Sequence, residues 1–200
     1  LNGYDPYSNS KSCSELVTDS YKKSFFSDRG IAVSTARAGN VIGGGDFAAD
    51  RIIPDCIRAA SHNQTIEIRN PYSTRPFQHV LEPVYAYLYI AMEQYKNPAL
   101  AGSYNIGPKY SDCVTAGRLA DIFCSVWKDV SWINVSEKNA VHEANFLKLD
   151  CSRIKSVFGL EPVWDITIAV EKTVEWTKCW LAGQDVADCM RFQINEYLKG

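Results

Sequence analysis

The chain has 200 residues, 46% of them hydrophobic and 22% charged, with a formal net charge of −2. That length allows one large domain or two small ones, and the composition is that of an ordinary soluble globular protein. Near-neutral charge gives no electrostatic reason to expect nucleic acid or a membrane surface as partner. No apolar run reaches the ~20 residues a bilayer needs, and no signal peptide opens the sequence, so a cytoplasmic location is expected. Seven cysteines, at 13, 56, 113, 124, 151, 179 and 189, include no C-x-x-C pair, which predicts reduced, mostly buried thiols.

The first helix sets the chemistry. Asp5 is placed to cap free backbone N–H groups and Pro6 to occupy the first helical position, where no N–H is needed. Tyr7 and Lys11 then lie four residues apart on one face. A phenol titrates near ~10, and an adjacent fixed ammonium lowers that, so such a pair can supply a general base near neutral pH. The helix is expected to run from Pro6 to about Ser27, with Leu16, Val17, Tyr21 and Phe25 as a buried stripe and Gly30 as its terminal cap.

Residues 31–37 read as a short buried parallel strand, which after a helix makes half of a βαβ unit. The run Ala38-Gly39-Asn40-Val41-Ile42-Gly43-Gly44-Gly45-Asp46 follows at the strand's carboxyl end, where open sheets bind ligands. Its glycines suit a close backbone approach to a ligand, and Asn40 can offer an amide. Residues 50–60 form an amphipathic helix carrying Ile52, Ile53, Cys56, Ile57 and Ala60, and residues 65–69 alternate as a half-exposed strand. An extended piece at 75–80 contains His79, expected to be a satisfied structural histidine. A helix from Pro83 to about Tyr95 carries Val84, Leu88, Ala91 and Met92. Residues 103–106 make another strand. Further helices fall near 115–127, 152–158 and 167–181, where Trp176 and Trp180 read as core, and extended pieces fall at 132–135 and 146–149. The tail from Ala182 carries little signal beyond a short surface helix. His142-Glu143 is not a zinc motif, since the second histidine of H-E-x-x-H would stand where Phe146 does.

The Tyr7-x-x-x-Lys11 helix and its following strand resemble the extended branch of the short-chain dehydrogenase/reductase superfamily. Three further stretches narrow the resemblance to the CDP-glucose 4,6-dehydratases: Arg37 to Asp46, Ile68 to Pro71 leading into Arg75-Pro76-Phe77-Gln78-His79-Val80-Leu81-Glu82-Pro83, and His142 to Asp150. The Gln-His-Val-Leu-Glu-Pro run discriminates most, because relatives usually carry Arg-Asp-x-x-x-Val there. Ser12, Phe47 and Phe77 depart from the usual Gly, Trp and Trp.

The resemblance implies an NAD-dependent lyase acting on CDP-glucose in nucleotide-sugar biosynthesis for surface polysaccharide. It casts Tyr7 as the catalytic base, with Lys11 lowering its pKa and holding the cofactor ribose. Ala38 and Asn40 would line the cofactor, Arg75 would face the pyrophosphate, and Asn40, Arg51 and His142 would approach the substrate. No metal is implied, and copies would pair through the Tyr7 helix. The implied fold is α/β, with 1–42 and 79–108 as the second half of a Rossmann-type parallel sheet domain, interleaved with a nucleotide-sugar-binding lobe of 43–78 and 109–200. The family's glycine-rich pyrophosphate turn and its Thr-Asp-Lys dehydration group belong upstream of the tyrosine helix, so a carboxyl-terminal portion of such an enzyme is expected. Two alternatives stand beside this: another nucleotide-sugar epimerase or dehydratase of the superfamily, and a non-catalytic module for nucleotide-sugar binding or oligomerisation.

Overall fold

The computed structural model describes residues 5–136 and 146–200. The architecture is mixed α/β. Helix α1 spans Pro6–Tyr21, and Asp5 caps it by accepting from the Ser8 amide at 3.0 Å and the Ser8 hydroxyl at 2.6 Å. Those hydrogen bonds hold the Asp5 carboxyl below its ordinary pKa. The helix ends earlier than periodicity implies. Residues 22–26 widen into a π turn, a 3-10 turn covers 27–29, and Gly30 closes the segment at φ 66°. The expected buried stripe is exposed: Leu16, Val17, Tyr21 and Phe25 are each more than half open. A hydrophobic face marks where a helix packs and not what packs on it, and no described element covers this one. Instead α1 meets the sheet through Glu15, which accepts from Arg37 Nε at 2.7 Å and Thr35 Oγ1 at 3.0 Å.

Strand β1 (Thr35–Ala38) pairs parallel with β6 (Ser103–Ile106), matching Thr35 to Ser103 and Ala38 to Ile106. β2 (Asn40–Ile42) pairs parallel with β5 (Phe77–His79). β3 (Ile66–Ile68) pairs parallel with β8 (Trp132–Asn134), and β4 (Thr74–Arg75) antiparallel with β7 (Val114–Thr115). The main core joins Ile42 and Phe77 to α2 (Ile52–Ser61), α4 (Ala116–Trp127) and α6 (Ile166–Leu181), around Cys56, Leu119, Ala169 and Val170. A second cluster joins Ala86 and Ile90 of α3 (Leu81–Lys96), Tyr104 and Ile106 of β6, and Ile154 of α5 (Ser152–Phe158).

α3 is turned away from the face expected of it. Val84, Leu88 and Met92 are exposed, while Glu82, Pro83, Ala86 and Ile90 are buried. The segment is apolar nearly all round, so periodicity alone cannot choose its buried side. The tryptophans are corrected likewise. Trp180 is 45% exposed, against Phe47 at 4.8 Å between ring centroids. Residues 169, 170, 173, 174 and 177 take the buried face of α6 instead. Of the seven cysteines only Cys56 is buried; Cys13 is exposed, the rest are intermediate, and all are free thiols. Being mostly on helix flanks, they do not form the buried set expected.

The tail holds more than its composition announced. Helix α7 (Val186–Tyr197) is capped by Asp185, and it buries Gln193 and Tyr197. The Tyr197 hydroxyl donates to the Glu82 carboxylate at 2.8 Å. Glu82, only 5% exposed, also accepts the Trp164 amide at 2.8 Å and the Val163 amide at 3.1 Å. One carboxylate thus ties α3, the 163–164 segment and α7 together. Burial raises its pKa despite those donors. His79 is satisfied on one nitrogen only: Nδ1 accepts from the Leu81 amide at 3.3 Å, and Nε2 has no partner among the described residues. Burial, helped by the Lys172 charge, lowers its pKa to about 4.

Replacing Glu82 with Ala orphans two amides and a hydroxyl and is expected to destabilise by about 3 kcal/mol in urea denaturation, with Glu82→Gln costing less than half of that. Because the folded-state pKa is raised, the protonated acid favours folding. Wild type should therefore gain on Glu82→Gln below the unfolded value of ~4.3, and lose that gain as pH rises through the folded value. His79 has the opposite sign. Its folded pKa of about 4 lies under the ordinary 6.5, so stability should fall by about 3 kcal/mol as pH drops from ~6.5 through ~4, and His79→Phe should flatten that slope.

Candidate active site

A cavity of 750 Å³ opens beyond the carboxyl ends of β1 and β3, with Tyr7 on one wall and Arg51, Arg69 and Arg75 among its lining residues. Ala38 and Asn40 line it too, so five of the seven residues expected from sequence converge on one space. Lys11 does not line it. Its ammonium instead stands 5.3 Å from the Tyr7 ring centroid, one helical turn along. His142 lies outside the described residues.

Each position has a local cause. Gly39 separates β1 from β2 and donates its amide to Ile106 O at 2.9 Å, continuing the β1–β6 ladder and setting Asn40 opposite Phe77. Arg51 precedes α2, and its guanidinium is held by Asp46 at 3.0 Å. Arg69 follows β3 and is held by Asp50 at 2.7 Å. Arg75, 9% exposed, sits in the β4–β7 pair and donates to Thr74 O at 3.0 Å. The Arg51 and Arg69 ion pairs are exposed, so each is worth at most about 1 kcal/mol. Their consequence is placement, aiming planar guanidiniums where they can fork onto phosphate oxygens.

The glycine run does something other than expected. A Cβ on Gly39 would lie 2.5 Å from Pro76 O, one on Gly43 2.8 Å from Val80, and one on Gly44 2.1 Å from the Trp176 ring. These glycines admit neighbouring protein groups, and only Gly45, at φ +83°, is chosen for its backbone angle. Arg69 was missed as a site residue, although alternation through β3, with Glu67 exposed between buried Ile66 and Ile68, puts Glu67 and Arg69 on the open face. Phe77 and Ser73 also line the cavity without a sequence signal of their own.

A phenol with a lysine beside it can move a proton, and three guanidiniums and an amide can hold a polyanionic, hydroxyl-rich ligand. The donors present therefore suit a nucleotide sugar. They also suit a dinucleotide cofactor reaching past Tyr7, Ala38 and Asn40.

Residues 2–107 match the NAD dependent epimerase/dehydratase family. The chain is 42% identical over 205 aligned residues to CDP-glucose 4,6-dehydratase of Salmonella typhimurium, covering 99% of this chain and 57% of that protein. Among solved structures it is similar to UDP-glucuronic acid 4-epimerase of Bacillus cereus in complex with UDP-glucuronic acid and NAD. There the TM-score is 0.74 at 17% identity, with coverage of 88% of this chain and 54% of that one. It is also similar to UDP-glucose-4-epimerase of Stenotrophomonas maltophila, at TM-score 0.75 and 14% identity over 92% of this chain and 57% of that one. A dTDP-glucose 4,6-dehydratase of Bacillus anthracis in complex with NAD gives 0.69 at 17%, over 89% and 53%. The structural likenesses show a Rossmann-type α/β fold, and the chain spans little more than half the length of each of these proteins. With more than half of its length matched, the chain belongs to the NAD dependent epimerase/dehydratase family.

Proposed function

We propose that the protein containing this chain dehydrates CDP-glucose to CDP-4-keto-6-deoxyglucose, using NAD, in the cytoplasm. The observation that carries the reading is the convergence of Tyr7, Asn40, Arg51 and Arg75 on one cavity. The 42% identity to a CDP-glucose 4,6-dehydratase supports the choice of reaction.

Tyr7 accepts the proton of the sugar C4 hydroxyl. Lys11, whose ammonium stands 5.3 Å from the ring centroid, holds the cofactor ribose. When bound, NAD would supply the hydride acceptor for the sugar C4 and the hydride donor for C6, with Lys11, Ala38 and Asn40 as the residues that would hold it. Ala38 and Asn40 border the nicotinamide and sugar-phosphate end, and Asn40 also orients the sugar. Arg75 holds the pyrophosphate, and Arg51 contacts the substrate. The C4 ketone acidifies the C5 proton, which is lost with the C6 hydroxyl as water, and the C5–C6 double bond left behind takes the hydride at C6 and a proton at C5.

Residues 1–42 and 79–108 form the second half of the cofactor-binding sheet in this reading, and 43–78 and 109–200 the nucleotide-sugar lobe. Copies pair through α1, an assignment supported by the exposed Leu16, Val17, Tyr21 and Phe25.

The test follows the hydrogen. With NAD and CDP-glucose carrying deuterium at C4, the protein should yield a product whose deuterium resides in the C6 methyl group, read by NMR. Tyr7→Phe should lower turnover roughly 10²- to 10⁴-fold, the usual contribution of a positioned base. Epimerised sugar with no C6 methyl group would overturn the dehydratase reading. Arg75→Ala should raise KM at least about tenfold, as loss of a bidentate phosphate contact.

A further inference from the structure

A second cavity, of 620 Å³, lies on the other side of β5. Along that strand Phe77 faces the cavity of Tyr7, and Gln78 faces this one. The two cavities share only Leu149 among their lining residues. The volume is in the range that holds a small molecule, roughly 300–1,000 Å³. Its walls are apolar through Ala86, Ile106, Ile154 and Leu160, and aromatic through Tyr85, Tyr110 and Tyr197.

Six charged residues line it: Glu82, Asp150, Glu161, Lys109, Lys148 and Lys155. The carboxylates are committed. Glu82 is held by the Tyr197 hydroxyl and two amides, Asp150 by the Ser152 amide at 2.9 Å, and Glu161 by Lys155. Lys109 and Lys148 have no carboxylate at ion-pair distance among the described residues. Both are beside Tyr110: Lys109 precedes it in sequence, and the Lys148 ammonium is 3.4 Å from its ring centroid. Neither ammonium forms an ion pair among the described residues, although Lys109 lies within Coulomb range of the Glu82, Asp112 and Glu161 carboxylates.

We propose that this cavity is a binding site for a small organic carboxylate, its aromatic or aliphatic body against the apolar walls and its carboxylate between Lys109 and Lys148. The site is separate from the one assigned to the nucleotide sugar and does not depend on that assignment.

Two half-buried thiols on the same walls, Cys113 and Cys151, give a direct readout, and exposed Cys13 serves as an internal control. The purified protein is alkylated with iodoacetamide in the presence of 4-phenylbutyrate or its neutral amide, and each cysteine is followed by peptide mass spectrometry. 4-Phenylbutyrate should protect Cys113 and Cys151 saturably and leave Cys13 unprotected. The neutral amide should be at least about tenfold weaker, the size of one charge-assisted hydrogen bond. Lys109→Met and Lys148→Met should each weaken protection by the acid by a similar factor, and leave protection by the amide unchanged. No protection up to roughly 10 mM acid, or equal protection by acid and amide in the wild-type protein, would overturn the proposal.

Discussion

Most of this structure depends on a strand of three residues. Phe77, Gln78 and His79 are all buried, and they lie in parallel register against Asn40, Val41 and Ile42. The pairing is continued past the strand ends by the Val80 amide, which donates to the Ile42 carbonyl at 2.8 Å. It also fixes what stands on either side. Arg75 enters the first cavity just before the strand, and Glu82 anchors α7 just after it. Polar groups so enclosed must be satisfied internally, and the Gln78 side-chain Nε2 accordingly donates to Ile106 O at 3.0 Å. His79 Nε2 and Gln78 Oε1 are the exceptions, buried without partners among the described residues. Each is a place where this packing is held at a cost.

Local chemistry was legible wherever one residue type has one use. The Asp5 cap with Pro6, the αL glycine at 30, and helices over 52–61, 116–127, 152–158 and 166–181 follow from capping and periodicity. The β1–β6 pairing is the parallel arrangement that a helix-strand-helix-strand order requires. What the sequence could not show was which of two apolar faces is covered. In α1 and α3 the periodic stripe points outward, because a neighbour and not the helix decides burial. The role of α7 was hidden for a related reason. Its contacts are long-range: Tyr197 to Glu82 joins residues 115 positions apart, and Gln193 and Glu196 reach Lys172 of α6.

The candidate site divides similarly. Tyr7 and Lys11 could be found by spacing, and Arg75 by family resemblance, since they lie in short contiguous motifs. Arg69 lies within the Ile68 to Pro71 stretch and on the exposed side of the β3 alternation, but neither signal by itself marked it as facing the cavity. The glycines between 39 and 44 seemed to await a ligand, yet Pro76, Val80 and Trp176 already occupy the space that side chains there would need. Their requirement is internal packing, and it shapes the cavity indirectly by letting β2 and its loop settle onto β5 and α6.

The central claim is that these 200 residues hold the nucleotide-sugar end of the site, built around Arg75. Isothermal titration of the chain with CDP-glucose, for the wild type and for Arg75→Ala, tests this most directly. The account predicts one saturable event with the wild type, weakened at least about tenfold in Arg75→Ala, a difference of ~1.4 kcal/mol. No binding of CDP-glucose, or equal affinity of the two proteins, would contradict it.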